Sequence, residues 1–201
     1  MARKIEFDRD QALGQSMMLF LQKGYENTSM QDLVDTLKVN RFSIYNTFGD
    51  KKTLFLLSIK HYRQQVFDSQ NTPLMDSELD AMESLDSYIS LFGHNLQSSS
   101  GQFGCLIQNC SMSDVRNDTD INKFISDTLE NLESSLVKVL KRAEDQGQLM
   151  PDCKPEIAAL YIMSCLQGLI LLRKFGKDAK SIDQQITYLK KTVRSWKRAI
   201  N

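Results

Sequence analysis

The feature that most constrains this chain of 201 residues is the stretch 28–54, TSMQDLVDTLKVNRFSIYNTFGDKKTL. Its apolar residues recur at the three- and four-residue steps that give each of two short helices one buried face. These inward positions are Leu33, Leu37, Val39, Ile44 and Phe48. Two short helices joined by a tight turn, with a third helix beginning at residue 51, form a helix-turn-helix pattern. The pattern predicts a unit that places its second helix in the major groove of DNA.

The second helix of this pattern, predicted over residues 41–48, has an outer side suited to reading bases. Ile44 and Phe48 lie four positions apart and point to the core. The outer side carries the side chains of Arg41, Phe42, Ser43, Tyr45 and Asn46. A guanidinium pairs with guanine, an amide pairs with adenine, and an aromatic ring contacts the methyl group of thymine. We therefore expect Arg41, Asn46 and Phe42 to specify sequence, with packing of Phe42 against the first helix as its alternative.

Polar residues at the predicted helix starts complete the DNA-binding prediction. Thr28 or Ser29 precedes the helix before the turn, and Asn40 precedes the recognition helix, where their side chains can accept backbone N–H groups. The remaining N–H groups at the start of the first of these helices are expected to hold a DNA phosphate. Asp50 is predicted to cap the helix that begins at Lys51.

The same stretch resembles the signature of the TetR family of bacterial transcriptional repressors. The resemblance is carried by Tyr45-x-x-Phe48-x-x-Lys51-x-x-Leu54, by a preceding Lys-Gly-Tyr at 23–25, and by Thr28, Leu33 and Val39. It implies a small N-terminal DNA-binding domain followed by a helical regulatory domain. It also implies that Tyr45 and Lys51 contact phosphates, which position a protein on DNA without specifying the sequence.

Two residues depart from the family pattern. Val34 occupies a position where a small alanine is common, and Lys38 occupies the position of a turn glycine. A residue other than glycine in the left-handed conformation costs about 1–2 kcal/mol. We therefore expect a slightly different turn before the recognition helix.

The periodicity of the whole chain predicts an all-α protein of about nine helices with no strands. The helices are expected over residues 8–23, 29–37, 41–48, 51–69, 84–97, 103–112, 121–146, 155–175 and 181–199. The segment 70–73, Gln-Asn-Thr-Pro, reads as a break. We predict a helix-turn-helix domain over residues 1–50 and a regulatory and dimerisation domain over 51–201, with a linking helix at about 51–69.

Charge alone does not indicate a nucleic-acid partner. The chain holds 25 Lys and Arg and 25 Asp and Glu, for a net charge of zero. The first 60 residues carry a net charge of only +2, with Arg41, Lys51 and Lys52 clustered around the recognition helix. A DNA-binding protein with this balance must concentrate its positive charge locally.

The stretch 157–172 is apolar nearly all round, which requires burial on both sides in a domain or against a partner. The resemblance implies dimerisation through the last two helices. Candidate interface residues, which could equally form core, are Leu166, Leu169, Ile170, Ile186, Leu189 and Val193. A palindromic operator needs two recognition helices about 34 Å apart, which favours a homodimer.

The regulatory half offers two forms of sensing. A candidate effector pocket is predicted from Phe92, Phe103, Cys105, Leu106, Asn109 and Tyr161. Cys105 lies in the run Gly104-Cys105-Leu106, at a predicted helix start that favours a reactive thiolate. This run resembles one found in TetR-like repressors, some of which sense electrophiles or oxidants, and the alternative for Cys105 is a small buried core residue.

These observations predict a dimeric DNA-binding regulator, a repressor that a small-molecule effector releases from its operator. The alternatives are a thiol sensor that uses Cys105 on the same scaffold and a helical interaction module that does not bind DNA. Catalytic motifs and cysteine–histidine clusters with metal-ligand spacing do not occur, so we expect no enzyme activity, no metal and no cofactor. The charged start, Ala2-Arg3-Lys4, and an apolar stretch of 16 residues at 157–172, which is too short for a membrane span of about 20 residues, favour the cytoplasm.

Overall fold

The computed structural model describes residues 8–198 and contains the all-α fold that the periodicity predicts. The described residues do not include the charged residues Arg3, Lys4 and Glu6, nor the predicted helix end at Ala199. The helices are α1 (Arg9–Lys23), α2 (Met30–Leu37), α3 (Arg41–Phe48), α4 (Lys51–Tyr62), α5 (Ser69–Met75), α6 (Ala81–Gln97), α7 (Leu106–Ser111), α8 (Thr119–Asp145), α9 (Pro155–Lys174) and α10 (Ala179–Ser195). A π-helical segment, Arg63–Asp68, joins α4 to α5, so residues 51–75 form one continuous helix and the described part of the chain contains nine helices on that count. The β structure of the described residues is a single antiparallel bridge between Leu149 and Lys197.

The described residues fall into two compact units, and the division does not follow the order of the chain. The N-terminal unit contains the residues up to Phe67 together with Leu106–Lys123. The C-terminal unit contains Asp68–Cys105 and the residues from Phe124 onwards. The domain boundary between residues 50 and 51 stays a prediction.

The core of the N-terminal unit forms where α1 packs against α4 and α2. Phe20 and Phe55 meet edge to face with ring centroids 4.9 Å apart, and the ring of Tyr25 lies 4.8 Å from that of Phe55. Aromatic pairs in this arrangement contribute about 0.5–1.5 kcal/mol beyond their buried area. The cluster fixes the end of α1 against α4, on which the position of the following helix-turn-helix depends.

The core of the C-terminal unit is built from α6, α8, α9 and α10, and α6 packs against both α5 and α10. A side chain at Gly93 on α6 would approach Ile186 on α10 to 3.1 Å, so glycine permits this close helix pair. Glycine is also required at residue 101, after the end of α6, because a Cβ there would lie 2.1 Å from the carbonyl oxygen of Leu96. The predicted end of this helix at residue 97 is confirmed by its last residue, Gln97.

The predicted break at residues 70–73 is wrong, because these residues are helical within α5. Pro73 removes one backbone donor, but Gln70 and Leu74 on the same face are buried, and α5 packs along α6. The chain breaks instead over residues 76–80. Arg142 of α8 holds this loop by donating to the carbonyl oxygens of Asp76 (2.9 Å) and Leu79 (3.2 Å).

The apolar stretch 157–172, which has 16 residues, lies within α9. The whole helix is longer and has 20 residues. By length and composition this helix could cross a membrane, so the argument that it is too short is wrong. It is the one such helix among residues 8–198, and 39% of its most apolar window is buried inside the structure. One such helix is a weak indication of a membrane span, because core helices share its length and composition.

Candidate nucleic-acid interface

The helix-turn-helix forms at the positions that the capping residues predict. Ser29 accepts the backbone N–H of Asp32 at 3.0 Å, and the Asp32 carboxylate accepts the N–H of Ser29 at 2.8 Å, which completes a capping box at the start of α2. Asn40 accepts the N–H of Ser43 at 2.8 Å and Asp50 accepts that of Thr53 at 2.7 Å. The predicted bounds of the recognition helix, 41–48, are confirmed by α3.

The turn between α2 and α3 contains the backbone strain that the sequence predicts. Lys38 ends α2 in the left-handed conformation, with φ 56° and ψ 32°. Among residues 8–198 it is the one residue other than glycine with a positive φ. This conformation costs about 1–2 kcal/mol for a lysine, a cost that glycine avoids.

The two sides of α3 differ sharply in burial. Ile44 and Phe48 are almost fully buried, which confirms their assignment to the core. Phe42 is 73% exposed and Tyr45 42% exposed, so the Phe42 ring does not pack back into the first helix. Arg41 and Asn46 are exposed as well, and Ser43 is half-buried. The helix therefore presents a polar and aromatic surface to solvent while two apolar residues anchor it.

Arg41 and Tyr45 are held together on this exposed surface. The Arg41 guanidinium lies over the Tyr45 ring, 5.7 Å from its centroid, and Nη2 donates to the Tyr45 hydroxyl at 3.4 Å. Such contacts between neighbours four residues apart limit the rotamers of both side chains. The pair is thereby directed away from the protein core before any ligand is bound.

The beginning of α2, where a phosphate contact is predicted, is shaped by side-chain hydrogen bonds. The Thr28 side chain is buried, and its hydroxyl donates to the Gly24 carbonyl oxygen at 2.6 Å. The Asp32 carboxylate occupies the position beside Ser29 and pairs with Lys23 at 2.6 Å. The Lys23 hydrogen bond, followed by those from Ser29, holds the pKa of Asp32 well below its usual range. Ser29 therefore caps α2 as predicted, and a phosphate contact at the remaining N–H groups of this helix start stays a prediction.

Lys51 begins α4 beside the aromatic cluster of α1. Its ammonium lies 4.3 Å from the centroid of the Tyr25 ring. Desolvation lowers the pKa of Lys51 although the nearby Glu26 opposes the shift. A cation over an aromatic face is stabilised electrostatically while part of it stays accessible. The contact fixes the position of a lysine that the family resemblance assigns to a phosphate.

A second set of contacts joins the start of α4 to the segment between α7 and α8. Lys52 pairs with Asp118 at 2.6 Å, and the other Asp118 oxygen accepts the N–H of Ile121 at the start of α8. The Glu26 carboxylate accepts the N–H of Val115 at 2.9 Å. These contacts lie within the N-terminal unit and explain why residues 106–123 belong to it. The sequence contains no periodicity that would predict them, because they join loop residues far apart in the chain.

The structure divides the predicted effector residues between the two units. Phe92, Phe103, Cys105 and Tyr161 belong to the C-terminal unit, while Leu106 and Asn109 belong to α7 in the N-terminal unit. The boundary between the units falls after Cys105, which precedes α7 and is half-buried. The chain turns just before it at Gly104, which has a φ of 82°. Tyr161 is exposed on α9, with its ring 5.7 Å from that of Trp196.

A buried polar cluster in the C-terminal unit was missed by the sequence analysis. Asn95 donates to Gln70 at 3.1 Å, and Gln70 also hydrogen-bonds the hydroxyl of the buried Tyr88. Burial is the main reason that the pKa of Tyr88 is raised, and the Cys105 thiol is close enough to raise it further. The signal was hidden because Gln70 lies in the segment that reads as a break.

The six predicted dimer residues are buried within their own chain, with exposures of only 2% to 8%. Within the single chain they belong to the core, and a place for them in a dimer interface stays a prediction. A different apolar face of the same two helices is exposed instead. It consists of Ile157, Leu160, Tyr161, Leu172 and Tyr188, with Phe175 just after α9. Ile157 is 67% exposed and Phe175 77% exposed.

The described residues contain no group of three histidine, cysteine or acidic side chains arranged to hold a metal ion. All four cysteines are free thiols: Cys110 is buried, and Cys105, Cys153 and Cys165 are half-buried. The side chains that converge on an exposed surface with a coherent chemistry are therefore those of α3.

The fold and the exposed surface of α3 define a helix-turn-helix DNA-binding protein, and comparison with known proteins agrees. Residues 13–57 match the model of the family described as bacterial regulatory proteins, tetR family. The chain is 30% identical over 192 residues to the uncharacterized HTH-type transcriptional regulator YezE of Bacillus subtilis, and the match covers 92% of this chain and 96% of YezE. It is 26% identical to the HTH-type transcriptional repressor ComR of Escherichia coli, covering 94% and 89% of the two chains.

The chain belongs to the TetR family and is a DNA-binding transcriptional regulator. Its fold is shared with solved members of that family. A cysteine mutant of CifR, solved with 26-base-pair double-strand operator DNA, superposes with a TM-score of 0.82 at 23% identity, covering 96% of this chain and all of that one.

Proposed function

We propose that this regulator is a homodimeric repressor that binds a palindromic operator and leaves it when a small-molecule effector binds. The observation that carries the proposal is the surface of α3, where Ile44 and Phe48 anchor a helix that exposes Arg41 and Phe42. A 73% exposed phenylalanine contributes little to the stability of a monomer, whereas it suits contact with a thymine methyl group. The name of the relative ComR, a transcriptional repressor, favours repression.

We assign different roles to the residues around α3. Arg41 and Asn46 read guanine and adenine, and Phe42 contacts thymine. The other predicted contacts position the protein on the sugar-phosphate backbone, through Asn40, Ser43, Tyr45 and Lys51. Thr28 and Ser29 support this surface indirectly, since both are engaged at the start of α2.

The exposed apolar face of α9 and α10 supports a homodimer. Isolated apolar side chains are common on protein surfaces, but a row of large apolar side chains exposed on two adjacent helices supports an interaction site. A second copy of the chain would bury this row and place two α3 helices on one operator. A closed pair related by a twofold axis matches the symmetry of a palindrome.

Release from DNA requires an effector that prefers the unbound conformation. Shifting a site from mostly bound to mostly free takes about 5.5 kcal/mol of differential binding. We place the effector in the C-terminal unit, near Phe92, Phe103 and Cys105, with Tyr161 as a further candidate. Leu106 and Asn109 on α7 are proposed to transmit effector binding to the N-terminal unit. The linking helix at about 51–69 is proposed to carry the resulting movement to the recognition helix. We assign the protein to the cytoplasm, where its DNA target lies.

Selection of bound sequences from random duplex DNA, at fixed salt, tests the proposal. We expect enrichment of a palindrome whose half-sites lie about one helical turn, roughly 34 Å, apart. Fixed salt is needed because affinity for DNA depends steeply on it. Enrichment of a single half-site would contradict the dimer, and no enrichment would contradict operator binding by the free protein.

A thiol-sensing role is a second candidate, favoured by Cys105, which is a free and half-buried thiol. If Cys105 is the sensor, N-ethylmaleimide should release the wild-type protein from its operator by forming a carbon–sulfur bond. Cys105→Ser should bind the same operator but resist the reagent. Gel-shift titrations before and after treatment measure both quantities.

Cys153→Ser and Cys165→Ser are the matched controls, since both thiols are half-buried as well. They should respond to the reagent as the wild type does. A Cys105→Ser protein that is still released by N-ethylmaleimide would leave the reversible effector as the supported mechanism.

A further inference from the structure

Lys38 combines a strained backbone with a side chain that no part of the fold uses. It ends α2 in the left-handed conformation, where glycine would be unstrained. Residues held in such conformations concentrate at functional sites. The conformation is supported by a hydrogen bond from the Lys38 N–H to the Val34 carbonyl oxygen at 2.9 Å, which involves only the backbone. The fold therefore specifies the turn but not the lysine.

The other cations around the recognition helix have partners within the N-terminal unit. Arg41 lies over Tyr45, Lys51 lies over Tyr25, and Lys52 pairs with Asp118. The Lys38 side chain is exposed, and no ion pair or side-chain hydrogen bond joins it to another residue in the range 8–198. Its charge is thus available to a partner outside the protein.

The position of Lys38 limits what that partner can be. It lies three residues before Arg41, so its Cα is at most about 11 Å from the first residue of α3. A helix placed in the major groove has a phosphate backbone on each side of a groove about 12 Å wide. A lysine beside the start of that helix is within reach of one of these backbones.

We propose that Lys38 binds a DNA phosphate beside the groove that α3 occupies, and so adds a phosphate contact that the turn glycine of the family pattern cannot make. The inference rests on the proposed placement of α3 in the major groove. The contact positions the protein and does not specify the base sequence, because it involves the backbone of the DNA.

A purely structural reason for the lysine exists and makes a different prediction. A positive charge at the end of α2 stabilises the helix through its dipole. If this were the whole role, replacing Lys38 would change the melting temperature and leave the DNA affinity unaltered.

The test compares full-length Lys38→Gly, Lys38→Asn and Lys38→Arg with the wild type in operator binding across a range of salt concentrations. Glycine and asparagine tolerate the left-handed conformation, so both variants should fold, and relief of strain in Lys38→Gly should raise Tm by about 2–4 °C. Both should nevertheless bind more weakly, and the slope of log K against log salt should fall by about 0.9 for each protomer bound. Lys38→Arg should keep the wild-type slope.

Lys60→Gln provides the charge control, because Lys60 is an exposed lysine farther along α4 and its replacement removes the same charge. Its salt slope should match that of the wild type. An unchanged slope in Lys38→Gly, or an equal fall in Lys60→Gln, overturns the proposal. Loss of binding by the wild type itself would instead refute the proposed function, and with it the role of Lys38.

Discussion

Arg41→Ala is expected to weaken binding to the selected operator by roughly 10- to 100-fold, because a bidentate contact with guanine is worth about 1–3 kcal/mol. The loss should be largest for operators that keep the guanine at the contacted position and small for operators in which it is replaced. Competition binding with these two operators measures the difference. Stability should change little, since the Arg41 side chain is exposed and its contacts are with Tyr45 on the same exposed surface.

Phe42→Ala should also weaken binding to the selected operator, with a loss of discrimination at a thymine. Its Tm should stay close to that of the wild type because the ring is 73% exposed. Thr47→Ala is the matched control, as Thr47 is an exposed residue on the same helix with no predicted contact. If Arg41→Ala and Phe42→Ala both bind as the wild type does, α3 is not the recognition helix.

Ile157→Glu is expected to dissociate the proposed dimer and, through it, to lower operator affinity by several orders of magnitude. An unpaired charge buried in an interface costs about 3–5 kcal/mol, and the twofold symmetry places the change in both copies. Each protomer alone would hold one half-site. Analytical ultracentrifugation measures the dissociation, and titration of the full palindrome measures the affinity.

Asn131→Glu adds the same charge at an exposed position of α8, outside the apolar face, and should leave the dimer intact. Circular dichroism of Ile157→Glu should show the wild-type helix content, since this side chain is 67% exposed in the single chain. A dimeric Ile157→Glu protein would show that the α9 face is not the interface.

The helix-turn-helix was predictable nearly residue by residue because its signals are local. Ser29, Asn40 and Asp50 each accept the backbone N–H three residues ahead, so the type of residue and its place in the sequence fix the helix start. The strain at Lys38 was predictable for the same reason. These features depend on a few neighbouring residues and not on distant packing.

The features that the sequence did not predict depend on contacts distant in sequence. Gln70 and Pro73 suggest a loop by their composition, yet packing against α6 keeps them helical. In α9 the apolar residues surround the whole helix, so periodicity could not separate the side that faces the core from the exposed side. Leu166 and Ile157 are equally apolar in the sequence, and only the folded chain shows that one is buried and the other exposed.

The effector residues show a further limit of sequence reasoning. Cys105 and Leu106 are adjacent in the chain, and both belong to the predicted effector site. The turn at Gly104 and the docking of α7 on α1 and α4 assign Leu106 to the N-terminal unit. The position of this boundary was not predictable from the sequence, and the effector pocket itself stays a prediction.

The discontinuous N-terminal unit has a practical consequence for anyone who transplants this DNA-binding specificity onto another regulator. A fusion cut after the helix-turn-helix would leave out the segment 106–123, and with it the Asp118 partner of Lys52 and the Val115 partner of Glu26. The start of α4, where Lys51 is held against Tyr25, would then lose part of its support. A chimaera that keeps the operator preference should therefore carry two separate pieces of this chain, inserted at two places in the recipient.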